Sequence, residues 1–283
     1  MINKKRRTAA VSYLVLALVA FVTLVPVVYC IMSSFKTNIE IMASPENLIP
    51  KEFTFQNYID IFTSDSFDVL RMLWNSTYYT LFSVVINLVL SSVCGYVFAR
   101  GNFPGKKAIF AVFASLMFIN MGTITIYPKF QILSLVGLNR SLFGLMALKF
   151  FGIPIVNMYL VRGYIAALPK EMDEAARIDG CDYFRIFTKI IAPLLMPILA
   201  TIGILSFQAS WNEYLMPSIF TMGMPSQKTL VAGIVELKTS GGAVSQWNLM
   251  FAGMAVAIVP VLVAYTVANK YFVSGMTAGA VKG

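Results

Sequence analysis

The sequence contains no histidine, and only 12% of its 283 residues are charged. Histidine is the commonest general base and metal ligand, so its absence removes the usual routes to catalysis by this chain alone. Ordinary soluble domains carry about 25% charged residues, twice the proportion found here. Cysteine is equally sparse. Cys30 and Cys94 lie in apolar runs and Cys181 in a charged segment, with no Cys-x-x-Cys spacing, so neither a disulfide framework nor a zinc site is indicated. All three read as small buried hydrophobes. A phosphate-binding loop is also missing. Its nearest approach, Gly101-Asn102-Phe103-Pro104-Gly105-Lys106-Lys107, has too short a glycine spacing and a lysine where Ser or Thr would hold magnesium. No period-two alternation of an outer-membrane barrel is found, because the apolar runs are continuous. The net charge of +9 arises from basic residues in short segments beside those runs, where membrane topology rather than nucleic acid accounts for them.

What the chain does have is apolar surface. Hydrophobic residues make up 58% of it, and several runs reach the roughly 20 residues that a helix needs to cross a bilayer core about 30 Å thick. The expected fold is an all-α membrane protein, a single transmembrane domain over residues 1–283 with six membrane-spanning helices at about 9–34, 75–99, 108–127, 141–163, 193–220 and 248–269. The basic arm Lys4 to Arg7 precedes an apolar run that continues to about Phe35, longer than a signal-peptide core, so it reads as a retained first span. Six spans put both ends on one side. The N-terminal arm, segments 100–107 and 162–189, and the C-terminal tail carry 14 Lys and Arg, against 7 in the alternate segments, with Lys149 left inside a span. The positive-inside rule then predicts that both termini are cytoplasmic.

The segment 36–74 lies on the opposite side. It mixes six acidic residues with Phe53, Phe55, Tyr58 and Phe62, which suits either a folded outer cap that meets a partner or a plain surface loop.

The most informative stretch is the segment 168–192 between spans four and five. Pro169 suits a first helical position, Glu171, Asp173 and Glu174 favour the positive helix end, and Gly180 suits a left-handed cap. Met172, Ala175 and Ala176 form an apolar stripe at i, i+3 and i+4. A second helix is expected from Asp182, with Tyr183, Phe184, Phe187, Ile190 and Ile191 on one face. The residues describe a two-helix elbow, either a plug for a groove in a soluble partner or an amphipathic loop with favourable caps.

Glu174-Ala175-Ala176-x-x-x-Gly180, followed after nine residues by Ile190-x-Ala192-Pro193, resembles the "EAA" signature of binding-protein-dependent ABC import permeases, with Ala192 where Leu is usual. Trp211-Asn212-Glu213-Tyr214-Leu215-x-Pro217, Tyr96 to Arg100, Phe103 to Lys106, Asn75-Ser76 and the end Tyr271 to Gly283 are similar to the carbohydrate branch of that family, of the MalG type. The resemblance implies that Glu174, Ala175, Ala176, Asp179 and Gly180 form a coupling helix seated in a separate ATPase chain. It further implies that the tail, Ala280, Val281, Lys282 and Gly283, reaches toward the ATPase pair. The chain itself would be a transport subunit, not an enzyme, and would bind no cofactor; ATP and Mg would sit on the ATPase dimer. A second, homologous permease forming a heterodimer, an extracytoplasmic solute-binding protein, a sugar substrate and membrane lipid complete the implied partners, with no nucleic acid.

Polar residues inside the spans mark where substrate would pass, because each is costly in hydrocarbon. Asn87, Asn120, Asn157 and Gln208 suit sugar hydroxyls and equally suit bonds between helices. Trp211, Asn212, Glu213 and Tyr214 fall at the depth of an outer gate or of an interfacial aromatic belt. Lys149 carries a cost of about 2.5–3.5 kcal/mol unless it snorkels, pairs or faces the translocation cavity, where an anionic substrate would explain it. A secondary transporter would need more intramembrane acids than Glu213. An ABC import permease for a non-sugar solute, such as a phosphate ester, amino acid or polyamine, remains the alternative. No metal site is expected.

Overall fold

A computed structural model describes residues 2–64, 67–119, 122–240 and 245–280 of the chain, with side chains described from residue 11 to 267 within those ranges except at 239 and 240. Among the described residues every regular element is helical. The α-helices are α1 (Ile2–Ser33), α2 (Asn38–Ala43), α3 (Gln56–Thr63), α4 (Val69–Arg100), α5 (Lys106–Leu116), α6 (Ile126–Leu135), α7 (Leu142–Phe150), α8 (Ile155–Ala166), α9 (Glu171–Ile178), α10 (Tyr183–Ile186), α11 (Ala192–Leu194), α12 (Met196–Trp211), α13 (Leu215–Phe220), α14 (Leu230–Ser240) and α15 (Trp247–Ala280). Four stretches are long and apolar enough to cross a membrane: Val11–Ser33, Val69–Arg100, Leu142–Ala166 and Trp247–Val267. Tyr183–Leu194 and Met196–Trp211, bent by 75°, make a fifth if they form one span.

Three of the expected spans are interrupted, each for a local reason. The helix begun at Lys106 stops at Leu116, and Gly122 then takes a positive φ of 49°, a conformation that a continuous right-handed helix cannot hold. The expected run 141–163 is divided into α7 and α8 at Gly152–Pro154, where Pro154 removes an amide donor and biases Ile153 away from helical geometry. The expected run 193–220 breaks after Trp211. A helix through Pro217 would drive its ring into the carbonyl of Glu213, so α13 starts afresh at Leu215 and holds Pro217 in its first turn.

The chain divides into two compact units, Met1–Arg71 with Gly233–Val259, and Met72–Ala232 with Pro260–Gly283. The first unit contains α2 and α3, tied down by polar groups. Asn57 Nδ2 donates to the carbonyls of Ser34 at 2.7 Å and Lys36 at 2.8 Å, while its Oδ1 accepts from Asn248 Nδ2 at 2.7 Å. Lys36 is fully buried; its ammonium donates to the Asn47 carbonyl and lies 5.6 Å from the Tyr29 ring centroid. Phe35 packs against Phe55 and Tyr58, both at 5.3 Å between ring centroids. The segment after α1 is therefore folded, held by contacts within itself and by Tyr29 and Asn248 outside it.

Among its described residues the second unit holds two apolar cores. One gathers Tyr96, Val161, Ile165, Ala176, Ile186, Ile191, Leu195 and Ile202, so that α4, α8, α9, α10 and α12 meet. The other gathers Tyr79, Leu133, Leu142, Leu145, Met146 and Phe220. Between α4 and α8 the backbones approach closely. A Cβ built on Gly95 would lie 2.7 Å from Val161 Cγ1 and 3.2 Å from the Arg162 amide nitrogen, so any side chain there would force Val161 or α8 to shift. At the start of α14, Asn75 Nδ2 donates to the carbonyls of Ser226 and Lys228 at 3.0 and 2.8 Å, and Ser76 Oγ accepts from the Leu230 amide at 2.8 Å.

Candidate functional site: an anchored elbow and a polar cavity

The elbow begins where α4 ends. Arg100 Nε meets Asp173 Oδ2 at 2.6 Å, with the two side chains only 6% and 7% exposed, and Arg100 Nη2 donates to the carbonyls of Leu168 at 2.9 Å and Pro169 at 3.3 Å. One guanidinium thus holds the chain entering α9 and a side chain of its first turn. The first task is done by Nη2 as a hydrogen-bond donor, whereas Nε faces the Asp173 carboxylate as a charge, with no hydrogen bond between them. The helix starts at Glu171 with Lys170 as its cap residue, so Pro169 lies before the first turn and not in it. At the other end Gly180 has φ 80°; the Cys181 amide donates to the Ala176 carbonyl and the Gly180 amide to the Arg177 carbonyl, a Schellman closure. Asp182 Oδ1 then accepts from the Arg185 amide at 2.7 Å and starts α10.

Burial sorts the two helices differently from the expected stripes. Ala176 is 5% exposed and packs inward, whereas Ala175 faces out and Ile178 is 87% exposed. The outward face of α9 therefore combines Glu171, Glu174, Ala175 and Ile178, an i, i+3, i+4, i+7 set. Asp179 and Gly180 are exposed beside it. In the second helix Ile186 and Ile191 are buried while Tyr183 and Phe184 stay exposed. A π-helical stretch, Phe187–Ile191, precedes Pro193, which lacks the amide needed to continue an α ladder.

The second feature is a polar cavity. Lys149, in the last turn of α7, donates to Glu213 Oε2 at 2.7 Å; Tyr79 Oη of α4 donates to the same oxygen at 2.8 Å, and the Lys149 ammonium lies 4.9 Å from the Tyr79 ring centroid. Asn157 Nδ2, in the first turn of α8, donates to Asn87 Oδ1 at 2.9 Å. A cavity of about 500 Å³ is lined by Asn87, Lys149, Asn157, Leu205, Ser206, Ala209, Ser210 and Glu213. A smaller one of about 220 Å³ shares Asn87, Lys149 and Ser210 and reaches the helix break at Gly152–Pro154. Such a lining offers hydroxyls and amides that both donate and accept, with a single internally paired charge couple.

Of the expected path residues, Lys149, Asn157 and Glu213 come together at this cavity. Trp211 does not: it is 2% exposed and stacks on Phe207 at 5.8 Å between centroids, and Asn212 is exposed and lines neither cavity. Asn120, Val281, Lys282 and Gly283 lie outside the described residues, and Ala280 is described only as the last residue of α15. Lys149 needs no anionic substrate to account for it, because Glu213 supplies the counter-charge. The sequence reasoning passed over Tyr79 and Ser83, which stand with Asn87 at i, i+4 and i+8 on α4, and over Ser206 and Ser210 on α12. Polar stripes at helical spacing inside apolar runs were the available signal. Among the described residues no cluster of His, Cys, Asp and Glu could hold a metal ion.

The family model described as binding-protein-dependent transport system inner membrane component matches residues 8–278. The chain is 33% identical to the arabinooligosaccharides transport system permease protein AraQ of Halalkalibacterium halodurans, over 99% of this chain and 100% of AraQ. It is 30% identical to the galactooligosaccharides transport system permease protein GanQ of Bacillus subtilis, over 96% and 95% of the two chains. Its fold is similar to that of a solved bacterial ABC transporter involved in import of the acidic polysaccharide alginate, with a TM-score of 0.78, 25% identity, and coverage of 94% of this chain and 97% of that one.

Proposed function

The chain belongs to the binding-protein-dependent transport system inner membrane components, and from that premise we propose that it is the permease subunit of an ATP-driven importer that moves a sugar or oligosaccharide into the cytoplasm. The observation that carries the proposal is the elbow: a short helix fixed to the end of α4 by a buried ion pair, with Glu171, Glu174, Ala175 and Ile178 turned outward. An element meant to transmit force has to be rigid toward its own chain and open toward its driver. In this reading α9 sits in a groove of a separate ATPase dimer that holds ATP and Mg. Nucleotide-driven closure of the dimer moves the elbow, and packed helices follow as rigid bodies so that the polar cavity opens alternately to the two sides.

Six crossings, with cytoplasmic termini, are proposed by counting the interrupted segments α5–α6 and α7–α8 and the bent α10–α13 as one crossing each. The tail Ala280 to Gly283 then lies on the ATPase side. A homologous second permease and an extracytoplasmic solute-binding protein complete the assembly, and the names of AraQ and GanQ support an oligosaccharide as cargo. The test is reconstitution with the candidate ATPase, second permease and binding protein, followed by ATPase assays with arabino- and galacto-oligosaccharides. Substrate-loaded binding protein should stimulate hydrolysis, and Glu174→Lys should abolish that stimulation in a complex that still assembles in the membrane. Retained stimulation in Glu174→Lys would remove α9 from the coupling role.

A further inference from the structure

Lys149 and Glu213 are the two charged side chains that line the 500 Å³ cavity, and their other neighbours there are amides, hydroxyls and apolar groups. The pair is reachable from the cavity, since the side chains are 28% and 26% exposed. Glu213 is held twice, by the Lys149 ammonium at 2.7 Å and the Tyr79 hydroxyl at 2.8 Å on one oxygen, and Lys149 is held twice, by that carboxylate and by the Tyr79 ring. An isolated ammonium in this position would draw an anion. Here the anion is built in.

We propose that Glu213 is a specificity-determining residue that closes the cavity to acidic ligands by occupying Lys149, leaving Asn87, Asn157, Ser206 and Ser210 to recognise an uncharged polyhydroxy compound. A carboxylate entering from solution would have to displace Glu213 from both of its donors and then share the cavity with it. That exchange trades one ion pair for another and adds a like-charge contact, so it brings no net gain. A neutral sugar meets no such competition, because its hydroxyls exchange water for amide and hydroxyl partners of the same kind. This inference deepens the permease reading and rests on it for the claim that cargo enters the cavity.

The test uses the complete complex in proteoliposomes, following uptake of labelled arabinotriose with glucuronate or glucosamine as small competitors, so that the binding protein does not have to deliver the charged compound. Wild-type uptake should be inhibited only weakly, and equally, by the two. Glu213→Gln frees the Lys149 cation and should make glucuronate compete about tenfold more tightly, the effect of one charge-assisted contact. Lys149→Gln frees the Glu213 carboxylate and should reverse the sign, with glucosamine competing and glucuronate not; the double variant should lose both sensitivities. Wild-type inhibition by glucuronate equal to that of Glu213→Gln, or no sensitivity in either single variant, would overturn the proposal. If the wild-type complex takes up no neutral oligosaccharide, the sugar-permease reading fails separately. Calorimetric titration of glucuronate and glucosamine into the same purified complexes then decides the role of Glu213, with the same expected signs.

Discussion

Replacing Asp173 by Asn tests the elbow where the physics is most demanding. The substitution keeps shape and removes the charge that faces Arg100 at 2.6 Å, in a place where both side chains are more than nine-tenths buried. Removing one member of a buried pair costs about 3–5 kcal/mol, because the surviving ion stays desolvated without its partner. At 1.4 kcal/mol for each factor of ten, that is a change of about two to three and a half orders of magnitude in the docked-to-undocked ratio of α9. The two bonds from Arg100 to the carbonyls of Leu168 and Pro169 remain and hold the preceding turn, so the loss should be confined to α9 and not spread to α8. Hydrogen exchange by mass spectrometry on the purified complex reads this as faster amide exchange across residues 171–180 with little change over 155–166, since exchange reports local opening free energy. Adding Arg100→Met to Asp173→Asn removes the stranded charge but also the donor to the Leu168 and Pro169 carbonyls, so it should recover only part of the protection across 171–180. Unchanged exchange in Asp173→Asn, or a double variant worse than the sum of the singles, would refute the claim that this pair anchors the elbow.

Two further substitutions probe the scaffold. Gly95→Ala places a methyl group against Val161 Cγ1 and should lower the thermal stability of the solubilised protein by about 1–3 kcal/mol; Val161→Ala added to it should relieve part of that loss, and strict additivity would count against the close approach. Asn57→Ala withdraws the donor serving the Ser34 and Lys36 carbonyls and the acceptor of Asn248, costing about 1–3 kcal/mol, and should make the segment 36–64 more sensitive to limited proteolysis than wild type.

The features legible in the sequence were those fixed by neighbours along the chain. Gly180 could be read as a left-handed cap and Asp182 as a helix start because a cap is decided within a few residues, and both hold in the structure. What could not be read was set by partners far away in the chain. Asp173 looks like one more acid suited to a helix N-terminus until Arg100, 73 residues earlier, is brought against it. For Lys149 the sequence left snorkelling, pairing and an anionic substrate open, because nothing local neutralises it and Glu213 is 64 residues away. Trp211, itself an expected path residue, is a different case: its partner Phe207 stands one turn earlier on α12, a contact at i, i+4 that was local and was passed over.

The elbow and the cavity also share their walls, and this constrains any mechanism. α4 carries Asn87 at the cavity and Tyr96 in the apolar core beneath the elbow; α8 carries Asn157 and, one and two turns on, Val161 and Ile165; α12 carries Ile202 in that core and Ser206 one turn later at the cavity. A turn of α-helix rises about 5.4 Å, so on α8 and α12 the two environments are separated by little more than one turn of a stiff element. A displacement of the elbow core that leaves these helices intact must therefore move three walls of the cavity with it. The chain bends instead at Leu195, where the two halves of the α10–α12 run meet at 75°, and between Trp211 and Leu215, where Glu213 sits. The Lys149–Glu213 pair thus joins a residue in a helix break to one at the end of α7, and a rigid movement of α12 against α7 has to stretch or rebuild that bond. Under the proposed movement of the elbow, the pair that sets the charge of the cavity is therefore a contact that strain would reach.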